Sequence, residues 1–211
     1  MRINQSLAAA ISIVILSATC TKEAKKMQDT VVEEQPSVAS NNRRPTPTAS
    51  TYVTYLIRQG QHYCDKNTLQ SVSVSEMKFF AKFDQSAIYQ TIDPYNQYDV
   101  NKLWGFSEGF NNQYNSARIG WAYNDGALRL YGYVYSKGVR YFQEITTVLP
   151  GQEISCSIKV SGSIYILSAN GISVTLPRGS TTTKANGYQQ YPYFGGDEVA
   201  PHDISIFIKP A

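Results

Sequence analysis

Residues 115–149 read NSARIGWAYNDGALRLYGYVYSKGVRYFQEITTVL, and this stretch decides the fold. Ala117, Ile119, Trp121 and Tyr123 alternate along 116–123, so one side of a strand is apolar. Asn124-Asp125-Gly126 follows as a hairpin turn, because Gly accepts positive φ and Asn and Asp tolerate it. The second strand covers 127–135. Leu128, Leu130 and Val134 point one way, with Gly132 in the same row. Arg129, Tyr131, Tyr133 and Tyr135 point the other way. Ser136-Lys137-Gly138 closes a second hairpin and 139–149 returns as a third strand. The aliphatic side of the middle strand belongs to a core. A cation and three tyrosines are an unusual choice for a face that meets only water.

Working outward toward residue 211, Pro150-Gly151 turns the chain into the clearest alternation in the sequence. Ile154, Cys156, Ile158 and Val160 interleave with Glu153, Ser155, Ser157 and Lys159. Strands at 163–168 and 172–176 pair across Ala169-Asn170-Gly171. A last strand at 203–209 directs Ile204, Ile206 and Ile208 inward. Toward the N-terminal side, 51–58 is a first strand and 71–83 reads as strand, with Phe79, Ala81 and Phe83 in one row, a helix from Ser75 being the competing reading. Residues 101–115, NKLWGFSEGFNNQYN, read as a long loop whose Trp104 folds over the sheet or lines a site. Short strands at this spacing, with no convincing helix, indicate an all-β fold. The expected architecture is an antiparallel two-sheet sandwich of jelly-roll type over 51–211.

The first fifty residues have a different character. Arg2 precedes the apolar run Leu7–Leu16, which is short for a membrane span, and small residues lead to Cys20. This arrangement resembles a bacterial lipoprotein signal, although Leu16 stands four residues before the cysteine and Thr19 replaces the usual Gly or Ala. The resemblance implies a signal peptide over 1–19, cleavage before Cys20, and lipid on that cysteine. Residues 20–50 are charged, small and Pro-containing, as expected of a flexible tether. The implied location is a membrane, with Thr21 after the cysteine favouring the outer one, and the folded part in the periplasm or at the cell surface.

The runs LWGFSEG, NSARIGW and YFGGDEVAPHDISIFI resemble a group of Gram-negative surface or periplasmic lipoproteins with concanavalin A-like, lectin-like sandwiches. That likeness implies a carbohydrate-facing role at the level of fold, and folds do not fix function. A net charge of +3 offers no concentrated basic field, so nucleic acid is not an expected partner.

The candidate site residues are Trp104, Arg129, Tyr131, Tyr133 and Tyr135, because rings stack on sugar faces and polar groups bond the hydroxyls. The expected ligand is a carbohydrate or another cell-surface molecule. No GxSxG is present and the acids are scattered, so binding without catalysis is the first expectation. A polysaccharide lyase-like enzyme on the same face is the second, since Arg118, Arg129, Arg140, Gln143 and the tyrosines supply its residue types. The lyase runs RxExR and YxKxGxYxQ are absent, and Tyr135-Ser136-Lys137-Gly138 with Tyr141-Phe142-Gln143 only loosely echoes the latter. A structural component of the cell envelope is the third. With Cys20 lipidated, Cys64 and Cys156 form a possible disulfide in an exported protein, or Cys156 is a small buried hydrophobe. No cofactor is expected. Asp197-Glu198 and His202-Asp203 offer oxygen ligands for a possible structural calcium, or make a solvated acidic turn.

Overall fold

The computed structural model describes residues 51–211. The signal peptide, Cys20 and the tether over 20–50 lie outside the described residues. Twelve strands follow in chain order: β1 Val53–Ile57, β2 Ser71–Val74, β3 Glu76–Phe83, β4 Asn101–Glu108, β5 Ser116–Asn124 and β6 Ala127–Ser136. Then come β7 Val139–Val148, β8 Ile154–Ser161, β9 Ile164–Ala169, β10 Ile172–Pro177, β11 Ala185–Gln190 and β12 Ile204–Pro210. They form two six-stranded antiparallel sheets. Sheet I has the order β1-β12-β3-β8-β9-β10 and sheet II the order β2-β11-β4-β5-β6-β7. The late strands β11 and β12 insert between early ones, β11 between β2 and β4 and β12 between β1 and β3. That pairing of early with late strands across both layers is the jelly-roll arrangement.

The alternation read from the sequence is what closes the sandwich. Ile154, Cys156, Ile158 and Val160 of β8 and Ile204, Ile206 and Ile208 of β12 are all buried in one core with Phe79, Ala81 and Phe83. From sheet II the same core takes Ala117, Ile119 and Trp121 of β5 and Leu128, Leu130 and Val134 of β6. The hairpin turns have the positive-φ pairs their residues suit, Asp125 and Gly126 after β5 and Lys137 and Gly138 after β6.

Three expectations need correction. Residues 101–108 are not loop but β4, with a bulge between Lys102 and Trp104. The bulge places Leu103 and Trp104 side by side among buried residues, which breaks the two-residue period that marks a strand. Trp104 therefore does not close over the outer tyrosines. It packs in the inter-sheet core against Tyr55, Phe79 and Tyr191. Cys64 and Cys156 are both free and buried. Cys64 bridges to Ile57 beside β1, whereas Cys156 lies on β8 with β12 and β3 between. Strand spacing puts them on the order of 15–20 Å apart, beyond disulfide reach. Finally, 71–83 is two strands rather than one, because the chain changes sheet at Ser75.

The calcium reading gains no geometry. Glu198 accepts hydrogen bonds from the backbone N–H groups of Ile92 and Asp93 and from Asn96 Nδ2, which holds its carboxyl below the usual range. Asp203 accepts from the Gln59 N–H and pairs with Arg58.

Candidate functional site

Antiparallel register brings side chains from five strands together on the outer face of sheet II. Gln190 of β11 stands opposite Gly105 of β4, Gly105 opposite Arg118 of β5, Arg118 opposite Tyr133 of β6, and Tyr133 opposite Phe142 of β7. On one side of this row lie Tyr188, Ser107, Ser116, Tyr135 and Arg140. On the other lie Lys102, Gly120, Tyr131 and Glu144. Glycine is required at 105, since a Cβ there would stand 2.9 Å from Arg118 Cγ and closer still to the β5 backbone. The bare backbone lets Arg118 lie low across the sheet.

Above these rows opens a cleft of about 660 Å³. Lys102, Arg118 and Arg140 line it with Tyr133, Tyr135, Tyr188, Tyr193 and the amides of Asn112, Gln113 and Gln190. No Asp or Glu lines it among the described residues. Tyr193 is fixed by a reciprocal pair of backbone hydrogen bonds with Lys102, each 2.9 Å, and by His62 stacked on its ring at 5.3 Å. Exposed Tyr63 and Phe110 form part of the rim, Phe110 at 4.7 Å from the Tyr188 ring.

The electrostatics are one-sided. Arg118 is 6% exposed, and its Nε is buried without a hydrogen-bond partner. Its guanidinium carbon lies 5.6 Å from the Tyr133 ring centre. Lys102 Nζ lies 4.8 Å from the same ring and 5.7 Å from that of Tyr193. Among the described residues none of Lys102, Arg118 and Arg140 forms a salt bridge. Burial pushes Lys102 down to about 8; Arg118 and Arg140 add to this, and Asp99, in a smaller adjoining hollow, opposes it. Burial likewise lowers the proton affinity of Arg118. Burial, with Tyr135 beside it, pushes the Tyr133 phenol up to about 12, so at neutral pH it is a hydrogen-bond donor.

The sequence row divides at this point. Tyr133 and Tyr135 line the cleft. Tyr131 is 9% exposed and packs with Val100, Ala122 and Tyr133 in a small cluster on the outer face, outside the cleft lining. Arg129 also lies outside it, its Nη1 held 3.1 Å from both Glu144 oxygens and its Nη2 3.8 Å from Asp125. Trp104 is in the core. Lys102, Arg118, Arg140, Tyr188, Tyr193 and Gln190 complete the site. Arg118 was signalled by its place opposite the apolar row of β5, and Lys102 was hidden in the apparent loop.

No known family and no curated protein matches the chain. Among solved structures, a family 7 alginate lyase in complex with product is similar at 10% identity and a TM-score of 0.47, covering 76% of this chain and 80% of that one. A second alginate lyase of polysaccharide lyase family 7 is similar at 11% identity and a TM-score of 0.45, covering 75% of each. A carbohydrate-binding module from Bacillus subtilis is similar at 6% identity and a TM-score of 0.33, covering 76% of this chain and 91% of that one. Likenesses this remote assign no residue a role.

Proposed function

We propose that the cleft on sheet II binds an acidic glycan. The observation that carries this reading is a cluster of three cations, Lys102, Arg118 and Arg140, lining a cleft that among the described residues contains no carboxylate. A buried guanidinium without a counterion is costly for folding, and a carboxylate or sulfate entering the cleft would offset that cost. The surrounding tyrosines supply ring faces and hydroxyls, and the amides of Asn112, Gln113 and Gln190 supply further hydrogen bonds to sugar. The test is titration with a polyuronate, a sulfated galactan and a neutral glucan. Acidic polymers are expected to bind at least tenfold more tightly than the neutral one, with affinity falling as salt rises. Equal binding of the neutral glucan would overturn the reading.

A second reading, β-elimination, is favoured by Lys102. Its value near 8 leaves a fraction of free amine at neutral pH beside the Arg118 guanidinium. The amine would take the proton next to the sugar carboxylate, the C–H electron pair would form the double bond, and the glycosidic oxygen would leave with the C–O pair and take a proton from solvent water in the open cleft. Ultraviolet absorbance of new unsaturated ends in the same titrations separates this from binding alone.

We further place the protein at a membrane through lipid on Cys20. Cys20→Ser is expected to move it from the membrane pellet to the soluble fraction, because the acyl chains supply the affinity. A variant that pellets like wild type would remove Cys20 as the anchor.

A further inference from the structure

A jelly roll of two open sheets has four edges, and here three are protected. The free side of β1 is covered by 64–66. There Leu56 N–H donates to Asp65 Oδ1, Asp65 N–H donates to the Leu56 carbonyl, and Lys66 Nζ caps the Thr54 carbonyl. β2 has four residues, and β10 has six and ends in Pro177, which has no N–H. The fourth edge, β7, is different. It runs for ten residues, and all of 139–144 are exposed on both faces. Val139, Tyr141 and Phe142 are 52%, 40% and 50% exposed. Among the described residues, nothing apart from β6 pairs with this half of β7. Beyond it a register shift and the burial of Ile145 and Val148 bring the strand under cover. An exposed edge of six residues that carries Val139, Tyr141 and Phe142 is a template for another strand.

We propose that β7 pairs antiparallel with β7 of a second copy of this chain, with Phe142 on the two-fold axis. In this register Arg140 of each copy stands opposite Glu144 of the other, a carboxylate that Arg129 of its own chain also holds, with Tyr141 opposite Gln143 and Phe142 opposite Phe142. Moving the centre by one residue in either direction places a charge opposite Phe142. The centred register therefore joins self-complementary charges around a shared aromatic pair, which is what an isologous interface requires. The two-fold axis stands perpendicular to the sheet. Both copies of sheet II then form one twelve-stranded sheet with both clefts on the same side. On the glycan reading, one long acidic polymer could occupy the two clefts together, held by Lys102 and Arg118 while Arg140 faces Glu144 of the partner subunit.

The experiment is sedimentation of the full chain in mild detergent, alongside Phe142→Lys and Phe142→Cys. Wild type is expected as a dimer at micromolar concentration. Phe142→Lys places like charges on the axis and is expected to weaken the dimer roughly tenfold or more. Because Phe142 is half-exposed, with one side on Tyr131 and Tyr133, the variant should keep a single cooperative melt, at or below that of the wild type. Phe142→Cys is expected to form an interchain disulfide under mild oxidant beyond any that the wild type gives, and Leu149→Cys, on an exposed turn, is not. A monomeric wild type, or a dimer indifferent to Phe142→Lys, would overturn the proposal. Neither readout needs a glycan, so its failure is distinct from failure of the binding reading.

Discussion

Arg178→Met is expected to remove about 3–5 kcal/mol of stability, the usual consequence of breaking one partner out of a buried ion pair. The Arg178 side chain is fully buried, and its Nε and Nη2 donate to the two Glu108 oxygens at 2.6 and 2.8 Å. Its remaining protons reach the Gly162 and Thr182 carbonyls, Thr182 Oγ1 and the Lys184 carbonyl. The Tyr165 hydroxyl donates to the same Glu108 carboxylate, and its phenol is held protonated, first by burial and then by that carboxylate. One guanidinium thus ties the end of β4 and the β8–β9 turn to the connection between β10 and β11. Removing it strands the Glu108 charge and several carbonyls. Denaturant unfolding measures the loss. Adding Glu108→Leu to Arg178→Met should restore part of it, because the uncompensated charge is then gone. A loss below about 1 kcal/mol would mean that water replaces the arginine without cost.

The opposite sign is expected in the cleft. Lys102→Met and Arg118→Met should each weaken acidic-polymer binding by about 10- to 150-fold, equivalent to about 1.5–3 kcal/mol for a charge-assisted contact. Lys102→Met should also raise stability at pH 7, by about 1–2 kcal/mol, since it removes a partly desolvated charge without a salt-bridge partner. Lys102 has a folded value near 8, below its ordinary 10.5. Between those limits the unfolded chain holds more protons, so wild-type stability should rise as pH climbs from 8. Above about pH 10 the raised tyrosines, Tyr133 among them, act the other way, so the rise is read between pH 8 and 9.5. Lys102→Met should flatten that rise. Affinity for an acidic polymer should fall over the same range, as Lys102 loses its charge. A structural lysine would lose stability on substitution, and that result would remove Lys102 from the site.

Where one face of a strand meets the core over its whole length, the sequence was readable. β8 and β12 show it, because each inward position is apolar and each outward one is largely polar. β4 was not readable, since the bulge at 102–104 puts Leu103 and Trp104 in succession and mimics an aromatic loop. The sheet change at Ser75 shows in the sequence only as a slip of one residue in the apolar row, from Val72 and Val74 to Met77, Phe79, Ala81 and Phe83. For the candidate cleft, the row on β6 pointed to the outer face of sheet II, where two of its members, Tyr133 and Tyr135, line the opening and the rest do not. A cleft is made by neighbours across strands, and the pairing of Arg118 with Gly105 and Tyr133 comes from register, which one strand's period does not contain. Arg129 resembles Arg118 in sequence, but it is less buried and has Glu144 and Asp125 within reach.

The insertion of β12 between β1 and β3 also sets a time for folding. Sheet I cannot close around Phe79, Ala81 and Phe83 until Ile204–Pro210 arrives, roughly 150 residues after β1. At ribosomal speeds of about 5–20 residues per second, β1 waits roughly 8–30 s for β12, its strand neighbour among the described residues. Closure through so distant a partner is also slow in itself. Throughout that interval the nascent chain carries unpaired strands, open both to a chaperone and to any machinery that threads extended polypeptide.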